Sequence, residues 1–160
     1  MFHDNRPKIK LERKLFDVIV DRKNWALLIA FWAYILFSYN TLPDSVPTHY
    51  NFKGEIDAYG SKKMLFLLPV IATIISIGFH FLMKVPHIFN YIVTITEQNA
   101  NVQYQLATRM LRVLKLFITI TFFSLAFTTT NHITFWLVPV LIIALFSAIG
   151  VYIYLSLKHQ

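Results

Sequence analysis

The chain contains no cysteine. That absence removes disulfides, thiolate catalysis, cysteine-ligated zinc, haem attachment and iron–sulfur clusters from its chemistry. Charge is also scarce. Asp, Glu, Lys and Arg make up 14% of the 160 residues against 56% hydrophobic, where a soluble domain carries about 25% charged. The scarcity is concentrated in four runs: Trp25–Leu42, Met64–Met83, Leu116–Thr130 and Ile133–Leu157. A bilayer core asks for about 20 apolar residues per spanning helix. Three of the runs approach or exceed that, and the third reaches it by starting near Leu111. Arg112 and Lys115 then fall at its end, where long basic side chains can snorkel to the headgroups. A soluble chain this short could not enclose four such helices.

The expected fold is therefore all-α and membrane-embedded: a four-transmembrane-helix bundle with spans at about 25–42, 64–83, 111–130 and 133–157, preceded by a basic segment over 1–24. Twelve of the fifteen Lys and Arg residues lie before the first span, between the second and third, or after the fourth. Only Lys53, Lys62 and Lys63 lie on the other side. The positive-inside rule places both termini in the cytoplasm, in an inner membrane, with the first loop outside. The formal charge of +7 then faces anionic lipid and needs no nucleic-acid partner. Leu11, Leu15, Val18 and Ile19 recur at helical spacing among basic residues, which suits a helix on the inner leaflet ending at an Asn24 cap. Trp25, Trp32, Tyr39, Trp136, Tyr152 and Tyr154 read as interfacial aromatics.

The outer loop, "LPDSVPTHYNFKGEIDAYGSKK", holds two prolines, two glycines, a histidine and three acids. Pro43 and Pro47 prevent the first helix from continuing. Val46, Thr48 and Tyr50 then alternate with Pro47, His49 and Asn51 as a short strand, and Glu55–Ala58 returns. A three-residue loop, Phe52-Lys53-Gly54, puts Gly54 at the left-handed position. It pairs Tyr50 with Ile56 on an oily face, and His49 with Asp57 and Asn51 with Glu55 on a polar one. Those four polar residues, His49, Asn51, Glu55 and Asp57, are the candidate ligand-binding cluster, able to take a divalent cation or a basic peptide or to respond to pH through His49. Equally, they can be cross-strand pairs that hold the hairpin together. One histidine with two acids is too thin for a metal site, and no H-E-x-x-H occurs. No metal or cofactor is expected.

This loop resembles the signature of a bacterial membrane family, domain of unknown function 1648. The matching positions are Pro43, Pro47, His49, Tyr50, Asn51, Gly54, Asp57, Gly60, Ser61 and Lys62, covering less than half of the chain with its flanking spans. The best-known type is the SdpI immunity protein, which protects a bacterium against its own secreted toxin and signals to a repressor. Its domain precedes a further block of spans, for which 160 residues leave no room. The resemblance implies a non-enzymatic protein that meets an extracytoplasmic peptide or toxin, with a cytoplasmic regulator or a second copy as partner. A transporter or channel subunit completed by oligomerisation is the alternative.

Past Pro86, Thr96 can cap a helix with a stripe of Ala100, Tyr104, Ala107, Leu111 and Leu114. Its amide-rich face of Asn99, Asn101, Gln103 and Gln105 either docks a soluble partner or accompanies packing on the inner ends of the bundle. Within the spans His80 is read as the one ionisable group away from the ends. It is functional by default, or a neutral imidazole meeting headgroups. Thr119, Thr121, Ser124, Ala144, Ser147, Ala148 and Gly150 are assigned to helix packing, and Pro69 and Pro139 to kinks. No charge pair is expected within the bundle, which argues against proton-coupled transport.

Overall fold

The computed structural model describes residues 6–51, 53–131 and 137–160. Among these the chain forms α1 (Leu15–Tyr39), a hairpin of β1 (Ser45–Tyr50) and β2 (Ile56–Ser61), α2 (Leu67–Leu82), α3 (Ala100–Asn131) and α4 (Leu137–Lys158). A 3-10 turn, Lys62–Phe66, leads into α2, with Ser61 capping it by accepting the Lys63 backbone N–H on Oγ.

α1 corrects one expectation. The basic lead and the first apolar run form a single helix, and Asn24 is a wholly buried mid-helix residue rather than a cap. The helix starts at Leu15, and in its first turn Asp17 Oδ2 accepts the backbone N–H of the capping residue Lys14 at 2.9 Å. This satisfies one orphan donor and sets an anion at the positive end of the helix. Asp17, Asp21, Asn24, Leu28, Phe31 and Ile35 recur every three or four residues and are all buried. They form one face, polar in its first half and apolar in its second.

α3 is the axis of the bundle, packing against α1, α2 and α4. Thr96 Oγ1 accepts the Asn99 N–H and Asn99 Oδ1 accepts the Thr96 N–H, a reciprocal cap just before the helix. Of the expected stripe, Ala100, Tyr104, Ala107 and Leu111 are buried. Gln103 is not on an exposed amide face. It is fully buried, donating from Nε2 to the Ser156 and His159 carbonyls and accepting the Ser156 hydroxyl, so it ties α3 to the end of α4. The apolar core joins Leu28, Phe31 and Ile35 to Val46, Leu65, Ala72 and Ala126. Phe31 and Phe123 stack at 4.9 Å between centroids.

Among the described residues, three helical stretches are long and apolar enough to cross a membrane: Lys62–Leu82, Ala100–Asn131 and Leu137–Lys158. The uncharged part of α1, Trp25–Tyr39, spans roughly 22 Å at 1.5 Å per residue, short of a hydrocarbon core of about 30 Å. Ile133–Trp136, the expected start of the fourth span, lie outside the described residues. Pro69 and Pro139 occupy the third positions of α2 and α4. A Cβ at Gly150 would meet no atom within 4 Å, so that glycine makes no close helix contact.

Candidate functional site

The hairpin keeps the expected pairing at its tip. Tyr50 opposes Ile56, the Asn51 N–H donates to the Glu55 carbonyl at 2.9 Å, and Gly54 is left-handed at φ 81°. Phe52, the first loop residue, lies outside the described residues. Between tip and base the register departs at one pair. His49 stands opposite Ala58 rather than Asp57, because Thr48 is an extra residue in β1 and Asp57 an extra one in β2. Pro47 has no N–H with which to continue the ladder, and a bulge follows it. The two slips cancel, which is why Tyr50 and Ile56 still meet. The expected alternation of faces breaks at the same place: Val46 and Pro47 are both buried, and Thr48 is exposed.

The polar side chains nevertheless come together in pairs. His49 Nδ1 lies 2.6 Å from Asp57 Oδ1, with both side chains substantially exposed. Asn51 Nδ2 donates to Glu55 Oε2 at 2.8 Å, while Asn51 Oδ1 accepts the Lys53 and Glu55 backbone N–H groups. Asn51 is thus a brace inside the turn, and His49 with Asp57 is the pair that offers polar atoms outward.

The remaining signature residues fasten the hairpin. Lys62 Nζ donates to the Leu42 carbonyl at 3.1 Å, pairs with Asp44 at 3.2 Å and lies over the Tyr39 ring. The end of α1 is thereby clamped to the 3-10 turn that leads into α2, across the turn that Pro43 begins. A Cβ at Gly60 would sit 2.8 Å from Thr48 Cγ2, so only glycine lets the strands close there. The Tyr50 hydroxyl reaches Thr129 of α3 at 3.4 Å.

At the opposite end of the bundle lies an ion cluster that the sequence reading missed. Arg112 and Lys115 do not snorkel, and charge pairs do exist inside the bundle. Lys115 is fully buried and donates to Asp21 Oδ1 at 2.6 Å. Arg112 Nε donates to Asp21 Oδ2 at 3.2 Å, Arg13 to the same oxygen at 2.5 Å, and Arg109 Nε to Asp17 Oδ1 at 3.1 Å. One turn deeper, Asn24 donates to Ser76 Oγ at 3.1 Å and accepts the Thr119 hydroxyl at 3.0 Å. The bonded Lys115 ammonium and Arg112 guanidinium offset the cost of burying the Asp21 carboxylate. The signal was present in the spacing. Asp17, Asp21 and Asn24 recur by four and three, as Thr108, Arg112, Lys115 and Thr119 do by four, three and four. Dividing α1 at Asn24 hid the first set.

A cavity of about 320 Å³ opens beside this cluster, bounded by the N-terminal lead, the end of α2 and the face of α3 carrying Arg109 and Arg112. His80 lines it, edge-on to Trp25 at 6.4 Å between ring centroids. It is therefore not the one ionisable group inside the bundle; Asp21, Arg112 and Lys115 lie deeper among the helices.

Residues 26–73 match the model of the Domain of unknown function (DUF1648), so that segment, from α1 through the hairpin into α2, carries a domain of this family. An uncharacterized protein of the archaeon Archaeoglobus fulgidus is 40% identical over 53 residues, covering 33% of this chain and 29% of the relative. The chain thus spans under a third of that relative's length. No solved structure matches. The apolar helices and the family match together fit a membrane protein.

Proposed function

We propose that this is a non-enzymatic protein of four spans, α1 being the first, with both termini cytoplasmic and the hairpin outside, recognising an extracytoplasmic peptide or toxin in an immunity or signalling role. The observation that carries the reading is the outward His49–Asp57 pair on a hairpin held at its base by Lys62 and against α3 by Tyr50. A polar pair on a fixed support can meet a ligand with little ordering cost. The basic side chains Arg13, Lys84 and Arg109 gather at the far end of the bundle, in keeping with a cytoplasmic face there.

The absence of cysteine makes the orientation simple to test. Single cysteines at Lys53 and Asn101, both exposed, are treated with impermeant maleimide in intact cells. Labelling at 53 alone is expected; labelling at 101 alone reverses the topology and ends the proposal. Recognition is tested by incubating the purified chain in nanodiscs with secreted peptides. A peptide retained by the wild type and lost from His49→Ala and Asp57→Ala is the expected outcome. Both variants are expected to stay folded, since an exposed pair contributes only about 0–1 kcal/mol. Identical retention by all three would remove the role of this pair.

A further inference from the structure

We propose that the basic end of the bundle holds one anionic phospholipid, its phosphate at Arg109 and the upper part of one acyl chain between α3 and α4. Two cavities meet at this arginine. The first is the basic one. Its floor is electrically balanced, with the buried carboxylates of Asp17 and Asp21 opposed by buried Arg112 and, just beneath, Lys115. Its rim is not. Lys10, Arg13, Lys84 and Arg109 face it against the single carboxylate of Glu12. Arg13 and Arg109 each engage an aspartate through one nitrogen, although a guanidinium carries five donors. The Lys84 ammonium lies over the Phe81 ring, with no hydrogen-bond acceptor among the described residues. The rim therefore has both charge and donors for a phosphate.

The second cavity, about 410 Å³, is an apolar groove. Leu106, Met110 and Val113 of α3 line one wall and Ala148, Val151 and Leu155 of α4 the other, with Arg109 at the junction. α3 begins and α4 ends at the basic end, so both walls descend from it toward the middle of the bundle. From Arg109 to Val113 the drop is roughly 6 Å, the depth of the first few methylenes of an acyl chain. Lys84 follows directly on the end of α2, which sets the rim at headgroup level. A soluble phosphate would leave the groove empty, and an apolar partner helix would leave the rim uncompensated. A phospholipid with net negative charge answers both.

The test is native mass spectrometry of the purified full chain after exposure to phosphatidylglycerol or phosphatidylcholine of identical acyl chains. Retention of one phosphatidylglycerol per chain, under activation that strips phosphatidylcholine, is expected. Arg109→Gln removes charge-assisted bonds and is expected to weaken retention roughly tenfold or more. Ala148→Trp fills the groove without touching an ion pair and is expected to do the same, so it decides the matter should Arg109→Gln misfold. Equal retention of both lipids, or phosphatidylglycerol retention untouched by Ala148→Trp, overturns the proposal. So does displacement of the lipid by millimolar inorganic phosphate, which would assign the rim to a soluble anion.

Discussion

Removing the Asp21 carboxylate tests whether the ion cluster is a structural clamp. Three cations depend on it unequally. The Arg13 side chain is 53% exposed and regains water on losing its partner, so its share is at most about 1 kcal/mol. Arg112 keeps a second carboxylate, Asp17, at 3.9 Å. Lys115 is fully buried and loses its only carboxylate. Leaving one buried charge without its partner costs about 3–5 kcal/mol, and that figure is the expected destabilisation in Asp21→Ala. Detergent-to-SDS titration followed by tryptophan fluorescence reads it directly, since Trp25 lies 5.9 Å from Lys115 Nζ. Asp44→Ala is the control, its side chain wholly exposed beside Lys62, and should leave the midpoint unmoved. Replacing both partners, Asp21→Leu with Lys115→Met, should recover much of the loss, because neither charge is then stranded. Were Asp21→Ala no less stable than Asp44→Ala, the cluster would not be a clamp.

Three further outcomes follow from individual contacts. Asn24→Ala strands the buried Ser76 hydroxyl, and a loss of about 1–3 kcal/mol is expected in the same titration; no change would mean that water takes over the site. Gly54→Ala forces an L residue into left-handed backbone at about 1–2 kcal/mol, read as faster protease cleavage between Asn51 and Glu55. Lys62→Met removes the donor to Leu42 and the pair with Asp44, so hydrogen exchange should quicken over residues 42–50 while α4 stays unchanged.

The hairpin was legible because turn chemistry is local. Gly54 had to be left-handed, Asn51 had to face Glu55, and Ser61 had to cap, whatever surrounded them. The slip between Pro47 and Tyr50 was not, because a missing donor says that the ladder breaks without saying which residue is extruded. The helices were legible as apolar runs, and the Ala100–Leu111 stripe as a packing face. The charged residues misled for a physical reason. Near a span end the same lysine can reach water or a carboxylate, and only the position of the neighbouring helix decides between them. With Asp17 and Asp21 assigned to a surface helix, Arg112 and Lys115 had no partner to be given. Gln103 misled similarly, since an amide can face water or saturate the carbonyls at another helix end, as it does at Ser156 and His159.

The position of the charges along α1 also explains how the helix keeps its place. Apolar faces tolerate sliding, because one aliphatic neighbour replaces another at little cost, whereas buried polar partners do not. A slip of α3 by one turn, about 5.4 Å, toward the hairpin would bring Lys115 level with Asn24 instead of Asp21. Thr119 would then face Leu28, with its shared hydroxyl bond gone. Each lost bond would strand a buried group, and the costs would add within one small region. Leu28, Phe31 and Ile35 supply the attraction, and Asp17, Asp21 and Asn24 select the register in which it operates. The same residues that shorten α1 as an apolar span therefore fix where its hairpin end stands relative to α3, and so where Tyr50 meets Thr129.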